Sequence, residues 1–153
     1  KGVEETFSAV KDDLVLKVGE NLQLGQHSSL EGDLVVGYMH GNNKIGTLIS
    51  FTGDISEENA YDIALHIAAM SPRYVSREEV SDEDMKREEA IYREQLTQEG
   101  KPADIIDKII SGKMEKFYEE HVLLEQSSVK DDDKSIKDLV GSAQVNGFLL
   151  YKI

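Results

Sequence analysis

The chain has 153 residues, 39% hydrophobic and 31% charged, with 17 basic against 30 acidic side chains and a formal net charge of −13. That balance fits one folded domain with an appendage and a wet, charged surface, and it disfavours nucleic-acid or anionic-membrane binding, which needs clustered Lys and Arg. Having no cysteine excludes disulfide scaffolds, thiol catalysis and cysteine-based zinc sites, and leaves a partner with a basic or mixed-polar surface as the expected ligand.

The chain begins at Lys1 rather than Met, which reads as a cut-out domain or a processed product. Val3, Phe7, Val10, Leu14 and Val18 recur at spacings of three and four, predicting an amphipathic helix over 3–18 that Gly19 ends. Leu22 and Leu24 alternate with Gln23 and Gly25, predicting a strand that runs toward Leu30. The β-rich runs 34–40 and 45–51, separated by Gly41-Asn42-Asn43-Lys44, predict a β-hairpin whose turn residues tolerate positive φ.

Ser56 is placed to cap a helix over 57–70 with the small apolar face Ala60, Ile63, Ala64, Ile67 and Ala68, and Pro72 stops it. Ser81-Asp82-Glu83-Asp84 opens a further helix with a capping box in which Asp replaces Glu, running to about Gln98 on a thin stripe of Met85, Tyr92 and Leu96. Gly100 and Pro102 give the stop-then-start connector expected between helices. The next helix, 103–121, places Ile106, Ile109, Ile110, Lys113 and Phe117 on one face. So short a link predicts an antiparallel pair, and its narrow stripe predicts a projecting hairpin. A charged loop at 130–134, a short helix near 135–141 and a final strand follow. In that strand Val145, Gly147, Leu149, Tyr151 and Ile153 alternate with Phe148, Leu150 and Lys152. Antiparallel pairing accounts for this order more simply than βαβ crossovers, so the fold class is α+β. The core is expected over 1–75 and 122–153, with 76–121 as the inserted hairpin.

Few residues are patterned for catalysis or metal binding. The run 41–47 echoes a phosphate-binding loop, but it lacks the Lys before Thr47 and lies inside a hairpin, so it reads as a plain turn. Asp131, Asp132 and Asp133 miss the calcium-loop pattern, whose sixth position here is Ile136. His27, His40, His66 and His121 form no i, i+4 pair, so no metal or cofactor site is expected. His66 sits one turn beyond Asp62 at the polar edge of its helix, where a half-buried or ion-paired structural role is expected. His40, two residues after Tyr38 and next to Gly41, stands at a hairpin tip, a place that suits a contact residue. The pairs Glu78/Glu79, Glu88/Glu89 and Glu119/Glu120 lie on exposed faces with no apolar pocket to tune them, so they read as solvated surface. No apolar run approaches a membrane span and no signal peptide is present, so the chain is expected to be soluble.

One resemblance is extended and ordered. Val18-Gly19-Glu20-Asn21-Leu22, Leu30-Glu31-Gly32, Tyr38-Met39-His40-Gly41 and Ile45-Gly46-Thr47-Leu48 are similar to successive motifs of the translation elongation factor Ts family. So are Ile63-Ala64-Leu65-His66-Ile67-Ala68-Ala69, Ile109-Ile110-Ser111-Gly112-Lys113-Met114 with Lys116-Phe117, and 123–131. Together these cover about 13–153. The resemblance implies the C-terminal half of the family's core plus its inserted dimerisation or coiled-coil hairpin. It implies elongation factor Tu as partner and nucleotide exchange, not catalysis, as the activity. The bacterial cytoplasm, or an organellar stroma or matrix, is the implied location. By the same resemblance Val18, Gly19, Tyr38, His40, Gly41, Val129 and Lys130 lie on the side that meets elongation factor Tu. Self-association through the hairpin, as a structural assembly module, is the alternative role.

The sequence departs from the family at Gly25-Gln26, where Arg-Arg is usual, and at Ser127-Ser128, where Pro-Phe is usual. The family's Thr-Asp-Phe-Val motif, whose Asp and Phe disturb the partner's magnesium site, does not occur in these residues, nor does its small N-terminal three-helix domain.

Overall fold

The computed structural model describes residues 2–41 and 44–153. Their element order is α1 (Val3–Val18), β1 (Leu34–Met39), β2 (Ile45–Thr52), α2 (Glu57–Met70), α3 (Asp82–Gln98), α4 (Ala103–His121), α5 (Ile136–Val140) and β3 (Gln144–Lys152). The three strands form one antiparallel sheet in the order β1-β2-β3, so the fold is α+β. β1 and β2 pair from Leu34↔Phe51 to Met39↔Gly46. The turn expected at 41–44 rests on Asn42 and Asn43, which lie outside the described residues.

α2 covers one face of the sheet. Ser56 Oγ accepts from the Asn59 N–H at 3.1 Å, which satisfies an otherwise orphan donor at the helix start. Ala60, Ile63, Ala64, Ile67 and Ala68 are all buried, as their spacing predicts. The core they enter includes Ile49 and Phe51 of β2, Val75, Leu123 and Ile136. Ser71 takes a left-handed conformation (φ 54°) just before Pro72 and closes the helix through its N–H to the Ile67 carbonyl.

The expected strand over 22–30 is absent. Although β1 and β3 are the edges of the sheet, this segment forms a ladder with neither and is held to the sheet's outer face by side chains. Ser28 Oγ lies 2.9 Å from the Tyr151 hydroxyl, and Asn146 Nδ2 donates to the Glu31 carbonyl at 3.3 Å. At Gly32 a Cβ would stand 2.6 Å from the Phe51 carbonyl oxygen, so the close approach requires glycine.

The alternation expected for β3 also needs correction. Ser50 pairs with Gly147 but Phe51 with Val145, so Asn146 is an extra residue that reverses the phase. Val145, Phe148 and Leu150 therefore face the core together, while Leu149, Tyr151 and Ile153 share the outer face. α1 forms as its periodicity predicts, yet none of its residues is buried, and Val10, Leu14 and Val18 remain exposed.

α3 and α4 lie side by side with their own apolar cluster of Leu96, Ile106 and Ile110, flanked by Tyr92, Ile109 and Met114. A second cluster of Val80, Phe117 and Val122 sits at the base of the pair. A parallel bridge between Tyr74 and Val122 brings the two ends of the excursion together. At the α3 start Ser81 Oγ accepts from the Asp84 N–H at 3.1 Å. The reciprocal capping box, with both arms made, is found at α5, between Ser135 ahead of the helix and Asp138 in its first turn.

Candidate functional site

Two segments from opposite ends of the sequence are seated on α2. The first is the β1–β2 hairpin. Thr47 Oγ1 donates to the Ala64 carbonyl at 2.9 Å in a buried position, fixing the middle of the hairpin to the helix. Opposite Thr47 in the ladder is Tyr38, which β1 turns toward α2. Its ring meets Tyr61 edge-on at 5.7 Å, and its hydroxyl is hydrogen-bonded to His40 Nδ1 at 3.1 Å. His40 itself is exposed and is held by its N–H to the Ile45 carbonyl at 2.9 Å. A groove of about 280 Å³ runs between Tyr38, His40 and Ile45 on one wall and Leu65, Ala68 and Ala69 on the other.

The second segment is 126–130. Lys130 Nζ reaches both oxygens of Asp62, at 3.0 and 2.9 Å, and this bond raises the ammonium's pKa. Lys130 and Asp62 border a cleft of about 720 Å³ that continues over Tyr61 and Leu65 to Leu34 and Val36. Val129 is 39% exposed, whereas Ser128 beside it is buried and accepts from the Lys130 N–H at 3.3 Å.

His66 corrects its expected role. It is fully buried (0% exposed), not half-buried at a polar edge, and Asp62 pairs with Lys130 instead. Its ring nitrogens contact Gln126 Oε1 at 2.8 Å and the Val129 N–H at 3.3 Å, and burial lowers its pKa despite the Gln126 bond.

Residues 1–153 fit the family described as Elongation factor TS. The chain belongs to the elongation factor Ts family. It is 46% identical over 154 residues to elongation factor Ts of Hahella chejuensis, covering 99% of this chain and 52% of that protein. Against elongation factor Ts of Deinococcus deserti the identity is 44% over 149 residues, covering 97% and 56% respectively. Against that of Deinococcus radiodurans it is 42% over 137 residues, covering 90% and 52%. The chain thus spans about half the length of the curated relatives it matches.

Of the residues singled out in the sequence, Tyr38, His40, Val129 and Lys130 are gathered along one side of α2, with Gly41 following His40. Val18 and Gly19 are not gathered with them. They end α1, where Gly19 (φ 76°) returns its N–H to the Val15 carbonyl at 2.8 Å, and no core cluster includes an α1 residue. Tyr61, Asp62 and Leu65, which join the two segments, were not among the residues expected to meet a partner. Their signal was an apolar-and-acidic stripe at i, i+1 and i+4, adjacent to the small-residue face. No group of three His, Cys, Asp or Glu side chains among the described residues is arranged to hold a metal ion. No helix among them is long and apolar enough to cross a membrane.

Proposed function

We infer that this chain is the C-terminal core of an elongation factor Ts with its inserted hairpin. In this reading 1–75 and 122–153 form the core, 76–121 the insertion, and elongation factor Tu is the partner. The contact surface is Tyr38, His40, Gly41, Val129 and Lys130, extended by Tyr61 and Leu65, with Val18 and Gly19 as a separate contact at the end of α1. The observation that carries this is the shared seat on α2: residues about ninety positions apart in sequence line a groove and a cleft that have Leu65 in common. An imidazole beside a small apolar groove supplies a hydrogen bond and ring contact at an interface without any catalytic pKa.

An exchange factor works by binding the nucleotide-free state of its partner better than the nucleotide-bound state. The segment described here lacks the Thr-Asp-Phe-Val element that would disturb the magnesium site. It therefore anchors the partner and contributes to GDP/GTP exchange without driving it alone. The bacterial cytoplasm is the working location, with an organellar stroma or matrix as the alternative. GDP release from elongation factor Tu, followed with this chain and with a full-length factor, tests the reading. Slow release with the chain and fast release with the full factor are expected; equal acceleration by both would refute it.

A second reading, homodimeric assembly, is favoured by a different surface from the helical hairpin. Met39 (61% exposed), Leu48, Tyr151 and Ile153 (96% exposed) form an apolar patch on the outer sheet face. Sedimentation of the isolated chain with Leu48→Glu as comparison tests this; a monomeric wild type would remove it.

A further inference from the structure

We propose that His66 is a positioning residue for the docking surface: as a neutral imidazole protonated on Nε2, it holds the Val129 amide and so sets Val129 and Lys130 on α2. The proposal rests on the reading that this segment meets elongation factor Tu, but its structural half can be tested without the partner.

The direction of every bond in the relay is fixed from its two backbone ends. The Glu120 carbonyl only accepts, so the Gln126 amide nitrogen, 2.7 Å away, must donate to it. That turns Gln126 Oε1 toward His66 Nε2 at 2.8 Å, so Nε2 carries the hydrogen. At the other end the Val129 N–H only donates, so Nδ1, 3.3 Å away, must be bare. Both ends therefore demand the same neutral tautomer. A proton on Nδ1 would set two N–H groups against each other and leave the Val129 amide without its acceptor.

His66 and Gln126 are buried, at 0% and 3% exposure, so the imidazole is set among protein groups beneath the exposed Val129. Burial also lowers the imidazole's pKa, which maintains the required state at neutral pH. The charged groups on the surrounding elements are engaged elsewhere. Asp62 on α2 pairs with Lys130 at 2.9 Å, Glu125 with Arg77 at 2.9 Å and Asp131 with Lys134 at 3.0 Å. Glu120 joins the relay only through its backbone, and the His121 ring meets Phe117 edge-on at 4.7 Å. None of them takes over from the imidazole as the Val129 acceptor.

The mechanical consequence is specific. Lys130 is anchored at its tip by Asp62, and Ser128 by its N–H to the Lys134 carbonyl at 2.8 Å. Between those anchors Val129 depends on His66. Losing that one bond frees the exposed residue of the segment while the core beneath stays packed.

The test follows the Val129 and Lys130 amide resonances and the His66 ring by NMR as pH is lowered, then measures elongation factor Tu affinity over the same range. His66→Asn keeps an acceptor where Nδ1 stood and cannot be protonated; His66→Gln keeps only the reach to Gln126. The Val129 amide is expected to shift and lose exchange protection with the His66 titration midpoint. His66→Asn should bind like wild type at neutral pH and lack its acid-side break, while His66→Gln should bind roughly tenfold more weakly. A Val129 amide indifferent to His66 titration would overturn the proposal even if a variant failed to fold, and so would equal binding by the two variants. Coupling of Val129 to His66 in a chain that binds elongation factor Tu at no pH would overturn the proposed function, and the docking role with it.

Discussion

Replacing Ala64 with Leu tests the close seat of α2 on the sheet, on which the whole surface depends. Ala64 is fully buried and its carbonyl receives the Thr47 hydroxyl at 2.9 Å, so helix and strand backbones are near one another at this point. Leu adds three carbons. In open apolar space each would contribute roughly 0.8 kcal/mol of favourable burial. In a core packed to ordinary density, the helix must lift from the sheet or the side chain must leave its rotamer. The net expectation is a loss of about 2 kcal/mol, within the range for overpacked cores. With a urea m-value of about 1–3 kcal/mol/M, the unfolding midpoint falls by roughly 1 M. The assay is urea unfolding followed by far-UV circular dichroism, with m compared between proteins. Lifting α2 also separates Tyr61 from Tyr38, so partner affinity should fall more than an equally destabilising change elsewhere in the core. An unchanged or raised midpoint at constant m would refute the reasoning.

Other expectations concern separate parts of the molecule. The Ser50 hydroxyl is buried with no hydrogen-bond partner among the described residues, so Ser50→Ala should raise stability by about 1 kcal/mol, read from the same urea curves. Leu96→Ala should cost the helical hairpin about 2–5 kcal/mol. Amide exchange should then show lost protection in α3 and α4 with the sheet protected; equal loss in both would contradict their separate clusters. Arg77 bonds Glu115 at 3.0 Å and Glu125 at 2.9 Å, and its bond holds the Glu125 carboxyl below its ordinary value of 4.5. That contribution is present above 4.5 and disappears as pH falls through the folded-state value. The stability gap between wild type and Arg77→Ala should therefore narrow in acid.

Periodicity made α2, the hairpin strands and the α3–α4 pair legible, because each buries a stripe whose spacing is set by local geometry. The supposed strand at 22–30 failed because alternation records only which side chains could share a face. Whether a ladder forms depends on where the chain meets the sheet, and here side-chain bonds hold it on the outer face, not along the β1 or β3 edge. Asn146 shows the same limit in β3, where one inserted residue re-aimed Val145 without altering the composition of the run. α1 is the converse case: an amphipathic stripe that no neighbouring surface among the described residues covers. The exposure of His40 was legible from its place at the end of a β-rich run, next to Gly41. The burial of His66 was not, because its partners lie sixty positions away and are identifiable only once 126–130 folds back on α2.

The central claim is that the hairpin tip and the 129–130 segment form one docking surface for elongation factor Tu. Calorimetric titration of this chain into nucleotide-free elongation factor Tu tests it most directly, run beside His40→Ala and Lys130→Ala. Wild type should bind. Each substitution should weaken Kd roughly three- to tenfold, within the span of ordinary interface contacts, and His40→Ala, at an exposed side chain, should do so with Tm unchanged. Absence of wild-type binding, or affinity untouched by both substitutions, would contradict the account.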